Sequence, residues 1–392
     1  MIRVLVVEDS LTMQAVLAEV LTTDPAIEIV GVANNGREGV RLAHGLKPDV
    51  ITMDIRMPVM DGFEATRLIM QECPTRIVVV SASVNSPDLN ISFNAIKAGA
   101  LDVVEKPAGG GANFEIISER LISAVKLMSE VQVVRQRRPA GGTSSGIHPA
   151  PSFTNPSQPN IATGSGYYSA QRASATGFIP AVPASESGLS RAIADPNSPP
   201  KAPHGTPAIL AVGSSTGGPA ALSVFLKGLP ANLPVPVVIV QHITSGFARG
   251  LVDWLQTECS LPLHIGTQDQ RIYPGEVYFA PDDHHMVVYR RGILGLTSTP
   301  QVSYVRPSAT VLFESVAANY ANQALGVILT GMGNDGASGL KTIRDAGGTT
   351  FSQDQATCVV YGMPKAAVEL DAVDYVLSLP TIAGQIRRIC KV

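Results

Sequence analysis

The sequence is short of three features, and each shortage narrows what the protein can be. Its four cysteines show no paired spacing, which is typical of reduced thiols in a cytoplasmic protein. No apolar stretch reaches the roughly 18 residues of a membrane span, and residues 1–10 predict a strand in place of a signal peptide. Membrane insertion is therefore not expected. The net charge is −3 and no basic block stands out, so a nucleic-acid partner is not expected either.

The composition divides the chain into three parts. Length and a hydrophobic content of 45% predict two or three domains with substantial cores. From Pro139 to Thr206, 46 of 68 residues are Pro, Gly, Ser, Ala or Thr. Such a segment buries too little apolar surface to offset the conformational entropy that it would lose on ordering. We therefore predict a disordered, flexible linker over residues 135–206, between a first domain at 1–134 and a second domain at 207–392.

Short apolar runs in the first domain predict strands buried on both faces of a parallel sheet. Helix-like segments alternate with them, which predicts a flavodoxin-like α/β fold of five βα units. The clearest apolar runs cover residues 4–7, 50–53, 77–80 and 103–104, and the helix-like segments cover 10–21, 37–46, 61–71 and 93–98.

Polar side chains follow these apolar runs where each predicted strand ends. Glu8 and Asp9 follow the first run, and Asp54, Ser81 and Lys106 follow the others. The carboxyl ends of parallel strands form one ligand-binding crevice. Three carboxylates gathered there repel one another unless a divalent cation offsets their charge, and hard oxygen ligands suit Mg²⁺. The pattern indicates phosphorylation of one carboxylate, with the metal and the lysine neutralising the phosphoryl oxygens.

The second domain shows the same alternation on a larger scale, which predicts a doubly wound parallel α/β domain. Its charge is nearly balanced and it has no basic recognition helix, which argues against a DNA-binding output. The strand-like runs cover residues 209–212, 235–240, 277–280, 325–329, 349–352 and 375–377, and the helix-like segments cover 219–226, 308–320 and 337–345.

A turn of small residues, 213–219, leads from the first of these strands directly into a helix. A hydroxyl there lies at a helix N-terminus, where the dipole and free N–H groups favour negative charge. The turn suits an anion-binding loop and a nucleophilic serine equally well. It is not a Walker loop, because no Gly-Lys-Ser/Thr follows, and the usual Gly-x-Ser-x-Gly elbow is also absent.

Two further strand ends carry a histidine and a carboxylate. His242 follows the run 237–240, and Asp335 lies among the glycines of 331–336. Taken singly, they are as easily explained by a hydrogen-bonded histidine at a loop start and a solvated Gly/Asp turn. Together with a serine of the 213–219 turn, they form a potential acyl-transfer triad.

The first domain resembles a response-regulator receiver domain of two-component signalling. The resemblance depends on Glu8-Asp9, the stretch 53–62, Ser81-Ala82 and Lys106-Pro107. It implies that Asp54 accepts the phosphoryl group and that Ser81 and Lys106 contact the phosphoryl oxygens. The implied Mg²⁺ ligands are Glu8, Asp9, Asp54 and the backbone carbonyl of Arg56. Val103 stands where receivers often have an aromatic switch residue, so an aromatic rotamer is not expected to carry the signal.

The second domain resembles the CheB family of chemotaxis-type protein-glutamate methylesterases. The motifs that carry this resemblance lie at 215–218, 241–242, 278–281, 285–286, 306–308, 329–336 and 358–364. The resemblance implies that Ser215, not Ser214, is the nucleophile, although the residues alone do not separate the two. The other implied roles are His242 as the base, Asp335 as its orienting carboxylate, and the Met332 N–H with Thr216 as oxyanion donors.

Together the two resemblances imply a phosphorylation-activated serine hydrolase of the cytoplasm. It would demethylate glutamate methyl esters, and deamidate glutamines, on methyl-accepting chemoreceptors, and so provide adaptation in chemotaxis. A histidine kinase of the CheA type would be the phosphodonor. Mg²⁺ is expected at the receiver, and no cofactor is expected for the esterase chemistry. The alternative is a receiver-controlled, non-catalytic protein that only docks to receptors.

Overall fold

The computed structural model describes residues 1–81, 95–96, 98–107, 112–131 and 206–392. Except for Thr206, the predicted linker lies outside the described residues, as do three of the six residues of the predicted helix at 93–98. Within the described ranges, no helix is both long enough and apolar enough to cross a bilayer.

The first domain contains one parallel sheet. Its strands are β1 (Ile2–Val7), β2 (Ile27–Ala33), β3 (Val50–Met53), β4 (Arg76–Ser81) and β5 (Asp102–Glu105). They lie in the order β2-β1-β3-β4-β5 and pair in parallel throughout. The described helices are α1 (Leu11–Thr22), α2 (Gly36–Leu46), α3 (Gly62–Glu72) and α4 (Ala112–Glu130). The α/β fold predicted for this part of the chain is confirmed.

Local sequence explains where these helices begin. Ser10, Asn35 and Asp61 each have extended backbone and accept a hydrogen bond from a backbone N–H three residues on. These bonds satisfy donors that a helix N-terminus would otherwise leave unpaired. The caps lie in the loops that follow β1, β2 and β3, so the chain turns back at the same edge of the sheet where the polar side chains collect.

The second domain contains a larger parallel sheet and a separate hairpin. The sheet strands are β6 (Ile209–Ser214), β7 (Val237–Gln241), β8 (Leu263–Ile265), β9 (Val277–Phe279), β12 (Ala324–Ile328), β13 (Thr349–Gln353) and β14 (Tyr375–Leu377). The antiparallel hairpin consists of β10 (His285–Tyr289) and β11 (Ile293–Thr297). The helices are α5 (Gly218–Lys227), α6 (Ala248–Glu258), α7 (Ala309–Tyr320), α8 (Ala337–Asp345), α9 (Met363–Glu369) and α10 (Leu379–Cys390).

The order of the large sheet is β14-β13-β12-β6-β7-β9-β8, with parallel pairing throughout. The chain therefore starts in the middle at β6, builds one side through β7 to β9, and then crosses back to build the other side from β12. The doubly wound architecture is confirmed. Ligands of such sheets bind outside the carboxyl ends of the strands, where the winding direction reverses, and here that point lies between β6 and β12.

Buried strands explain why the sequence predicted the centre of this sheet well. Every residue of β6, β7 and β12 is buried, so each strand is a continuous apolar run, and β6 and β7 end in a polar residue. Phe225 of α5 and Phe313 of α7 are fully buried in two separate clusters that contain alternate residues of β6. Sequence analysis missed β8, which is three residues long, and the hairpin, whose strands are only partly buried.

Candidate functional site

Three polar residues lie at the carboxyl edge of the large sheet. Ser215 is the first residue after β6, His242 is the first residue after β7, and Asp335 lies in the loop between β12 and α8. These are three neighbouring strands. The loops are joined by backbone hydrogen bonds, because His242 N donates to Ser214 O at 2.9 Å and Ser215 N donates to Thr330 O at 3.0 Å.

His242 and Asp335 are in direct contact. His242 Nε2 lies 2.8 Å from Asp335 Oδ2, although the residues are 93 positions apart in the chain. Both side chains are largely buried, which strengthens the interaction relative to one in water. Because Nε2 carries the proton given to Asp335, the lone pair is on Nδ1. Among the described residues, Nδ1 has no hydrogen-bond partner, so it is available to accept a proton.

Asp335 lies at the N-terminus of α7, where the helix dipole and free N–H groups favour an anion. Ser308 Oγ donates to Asp335 Oδ1 at 2.6 Å, and the backbone N–H of Ala309 donates to Oδ2 at 2.6 Å. A longer bond from Thr310 N, 3.3 Å, also reaches Oδ1. Burial acts to raise the pKa of Asp335, but the bonds from His242, Ser308 and Ala309 together hold that pKa below its ordinary value.

His285 supports this carboxylate indirectly. It is fully buried, its Nδ1 accepts from Ser308 N at 3.1 Å, and its Nε2 donates to Pro300 O at 3.1 Å. Both ring nitrogens are therefore engaged in holding the chain just before α7. His285 thus fixes Ser308, and Ser308 fixes Asp335.

The two adjacent serines differ completely in their surroundings. Ser214 is fully buried, and its hydroxyl donates to Gln241 Oε1 at 2.7 Å. Ser215 is partly exposed, and its Oγ has no hydrogen-bond partner among the described residues. A nucleophile needs a free hydroxyl that substrate can reach, so the structure favours Ser215, which the residues alone could not separate from Ser214.

The two residues named as oxyanion donors lie in the loops that follow β6 and β12. Thr216 follows it directly, and Thr216 O accepts from Thr330 Oγ1 at 3.0 Å, which joins the β6 and β12 loops. Met332 is 54% exposed on the β12 loop. In the described part of the chain, neither the Thr216 N–H nor the Met332 N–H has an acceptor. By contrast, Gly331 N is already bonded to Val360 O.

The bond from Ser308 to Asp335 makes a testable contribution to stability. We expect Ser308→Ala to lower the free energy of unfolding at pH 7 by about 1.5–3 kcal/mol, the usual range for a hydrogen bond to a charged group. Because the pKa of Asp335 is lowered on folding, this contribution is complete above the ordinary aspartate pKa of about 3.9. It is lost as the pH falls through the lower folded-state pKa.

Urea unfolding at several pH values measures this effect. The difference between wild type and Ser308→Ala should narrow toward acid pH. Ser378→Ala is the matched control, because Ser378 precedes α10 as Ser308 precedes α7 but bonds to Thr381 Oγ1 at 2.7 Å. A difference for Ser308→Ala that stays constant from pH 7 to about pH 3 would show that its hydroxyl does not act through the carboxylate.

The first domain gathers a second polar cluster. Lys106 Nζ lies 2.7 Å from Glu8 Oε2 and 3.1 Å from Asp54 Oδ2, and all three side chains are buried. Ser81 is buried at the end of β4, and its carbonyl accepts from Lys106 N at 2.9 Å. Asp9 is exposed beside them. The structure thus brings together these five residues named from the sequence.

The carboxylates of this cluster have the donor set expected for a hard cation. One oxygen from each of Glu8, Asp9 and Asp54 lies within 4.8 Å of the others. Burial raises the pKa of Glu8 and of Asp54, and the neighbouring Lys106 offsets only part of that rise. A divalent cation would remove the remaining repulsion, so the residues fit Mg²⁺. Arg56 is exposed two residues after Asp54, and a ligand role for its carbonyl remains a prediction.

Two important residues were given no role by sequence reasoning. Gln241 bonds both the β6 and β7 loops, and Ser308 bonds Asp335. The sequence does carry a signal for Ser308, because a serine that precedes an apolar helical segment predicts an N-cap. It carries none for Gln241, since a glutamine at a strand end is most simply a solvated side chain.

Comparisons with known proteins identify two family domains in the chain. Residues 4–117 match the family model for response regulator receiver domains, and residues 210–386 match that for CheB methylesterases. A protein of Syntrophus aciditrophicus, named protein-glutamate methylesterase/protein-glutamine glutaminase 1, is 39% identical over 98% of this chain and 97% of its own. A relative of the same activity name from Nitrosospira multiformis is 40% identical over 99% and 97%. The solved CheB methylesterase catalytic domain of Thermotoga maritima is 36% identical, covers 47% of this chain and 99% of its own, and has a TM-score of 0.45.

Proposed function

The chain belongs to the CheB methylesterase family and carries a receiver domain, and we propose that it is a phosphorylation-activated serine hydrolase. It hydrolyses γ-glutamyl methyl esters on methyl-accepting chemoreceptors, which yields methanol and a free carboxylate. It also deamidates glutamine side chains, since the names of its relatives pair the two activities. We place the reaction in the cytoplasm, where it provides adaptation in chemotaxis-type signalling.

One observation carries the proposal: His242 bonds Asp335 at 2.8 Å beside Ser215, whose hydroxyl has no hydrogen-bond partner in the described ranges, at the ends of three adjacent strands. Acyl transfer by a serine hydrolase requires a hydroxyl, an imidazole and a carboxylate arranged in this order at one site. Chain order differs from that of other serine hydrolases, but the roles depend on geometry alone.

The proposed reaction has two halves. Ser215 Oγ attacks the ester carbonyl carbon while His242 Nδ1 takes its proton. Asp335 stabilises the charged imidazole, and the N–H groups of Thr216 and Met332 bind the oxyanion. The bond to the methoxide then breaks, and His242 gives it the proton, so methanol leaves. Water, deprotonated by His242, attacks the glutamyl-Ser215 ester and restores both the serine and a free glutamate.

Glutamine deamidation follows the same course with a different leaving group. The tetrahedral intermediate expels ammonia, protonated by His242, and leaves the same glutamyl-Ser215 ester. The second half is unchanged, so one constellation serves both substrates.

The receiver cluster supplies control. A histidine kinase of the CheA type would donate a phosphoryl group to Asp54, and Lys106 and Ser81 would contact its oxygens. Bound Mg²⁺ would neutralise charge on those oxygens, and its proposed ligands are Glu8, Asp9, Asp54 and the Arg56 carbonyl. In the unphosphorylated state, Lys106 is paired with Glu8 and Asp54, so phosphorylation must rearrange this ion cluster.

The direct test of the proposal is methanol release from methylated receptor membranes. Release by the wild type, increased by a phosphodonor with Mg²⁺, is the expected result. A well-folded protein that binds the receptors but releases neither methanol nor ammonia would support the non-catalytic docking alternative instead.

Replacing the phosphate acceptor should separate catalysis from control. We expect Asp54→Asn to keep basal methanol release and to lose all stimulation by acetyl phosphate with Mg²⁺, because an amide cannot accept the phosphoryl group. Glu28→Gln removes an exposed carboxylate of β2 and should keep the stimulation. Full stimulation of Asp54→Asn would show that another residue carries the phosphate.

A further inference from the structure

We infer that Gln241 is a positioning residue, which sets the relative position of Ser215 and His242 from beneath the catalytic edge. The inference rests on the proposed function. Gln241 is the last residue of β7 and is 6% exposed. It pairs with Ser214 of β6 across the parallel ladder, so its side chain starts midway between the nucleophile loop and the histidine loop.

The amide of Gln241 links the two loops directly. Its Nε2 donates to Ser215 O at 2.8 Å and to His242 O at 2.8 Å. Both protons of one nitrogen are used, so the two carbonyl oxygens lie no farther apart than twice that distance. Because both partners are carbonyls, the NH₂ group must face them, and Oε1 must face the hydroxyl of Ser214.

Ser214 anchors the other end of this amide. Its hydroxyl donates to Oε1 at 2.7 Å in a fully buried position. Ser215 O also accepts from Gly218 N at 2.7 Å, so the carbonyl of the proposed nucleophile is held by two donors. Every polar atom of the Gln241 side chain is therefore bonded to the backbone or side chain of a residue next to, or within, the proposed triad.

The turn after β6 is built around this side chain. A Cβ on Gly218 would lie 1.9 Å from Gln241 Oε1, so only glycine leaves room for the amide. The preceding Gly217 has a φ of +75°, which lets the chain enter α5 with its backbone this close. The close approach of the Gln241 side chain thus explains why two glycines follow Ser215 and Thr216.

If Gln241 positions the two catalytic loops, its replacement should lower turnover and leave substrate binding nearly unchanged. Gln241→Met keeps the approximate volume but breaks all three bonds, and a displacement near 1 Å can lower kcat about 10²-fold. We expect that loss in methanol release, with KM changed by less than about threefold. Gly218→Ala should cause a comparable loss, because it displaces the amide without removing it.

Gln241→Glu makes the pH dependence of activity a test, because a residue that only stabilised the fold would not change that dependence. In Gln241→Glu, the ionised side chain repels the carbonyls of Ser215 and His242, whereas the protonated form can donate to one of them. Burial raises the pKa of such a carboxyl. The activity of Gln241→Glu, as a fraction of wild type at each pH, should therefore rise toward acid pH and fall toward alkaline pH.

Gln385→Met is the matched control. Gln385 is also buried, on α10, and its Oε1 has no hydrogen-bond partner among the described residues. Its replacement should leave kcat at the wild-type value. With an active wild type, two results count against the inference: Gln241→Met has the same kcat as Gln385→Met, or the pH profile of Gln241→Glu runs parallel to that of wild type. Either result would overturn the positioning role of Gln241 and leave the proposed function intact. A wild type that releases no methanol would overturn the proposed function and this inference with it.

Discussion

We expect Ser215→Ala to release no measurable methanol from methylated receptors, with a loss of turnover of as much as about 10⁶-fold. That is the size of loss seen when the nucleophile of a serine triad is removed and only transition-state binding is left. The reason is local: among the described residues the Ser215 hydroxyl has no hydrogen-bond partner, whereas the hydroxyl of its neighbour Ser214 is bonded to Gln241 Oε1. The measurement is methanol release under single-turnover and steady-state conditions.

Ser214→Ala is the control that this chain itself offers. The two substitutions remove the same atom from adjacent residues, but the Ser214 hydroxyl is buried and bonded to Gln241 Oε1. Its loss weakens the support of the amide, and we expect turnover to fall by no more than about tenfold. If Ser214→Ala were the inactive protein and Ser215→Ala the active one, the assignment of the nucleophile would be reversed.

Asp335→Asn should lower turnover by about 10⁴-fold, the loss that the same change causes in other serine triads. An amide can donate to His242 as well as accept from it, so it no longer fixes the proton on Nε2 and the lone pair on Nδ1. It also loses the negative charge that stabilises the imidazolium during the reaction. Both effects act on kcat, so KM should change little.

The matched control for Asp335→Asn is Asp345→Asn. Asp345 is an exposed residue at the end of α8, paired with Lys341 one turn earlier. Exposed pairs of this kind contribute little to stability, and turnover should equal that of wild type. Far-UV circular dichroism and a melting temperature show whether Asp335→Asn is folded, since Asp335 also binds the N-terminus of α7. Turnover within tenfold of wild type would remove Asp335 from the catalytic group.

The fold was predictable where burial leaves a simple pattern. β6 and β12 are buried on both faces, so each is an unbroken apolar run that ends in a polar loop. Because parallel strands meet a ligand at one edge, Ser215, His242 and Asp335 could be assigned to a common edge before any distance was known. β8 and the β10–β11 hairpin gave no such pattern because they are short or half-exposed.

The support of the site was not predictable, because it depends on long-range register. The choice between Ser214 and Ser215 follows from the pairing of Ser214 with Gln241 across β6 and β7. Two adjacent hydroxyls in a sequence carry no information about that pairing. Likewise, Ser308 is 27 residues from Asp335, and only the packing of α7 against the β12 loop brings them together. Local propensity identifies Ser308 as a cap but not the carboxylate that it holds.

The proposed hydrolysis proceeds through a covalent glutamyl ester at Ser215, so mass spectrometry of that intermediate is its most direct test. A methylated receptor peptide mixed with the enzyme and quenched in acid within milliseconds should leave an adduct equal to the peptide mass minus methanol. Fragmentation should place the adduct on Ser215, and it should be absent from Ser215→Ala. An adduct on any other residue, or continued methanol release by folded Ser215→Ala, would contradict the account.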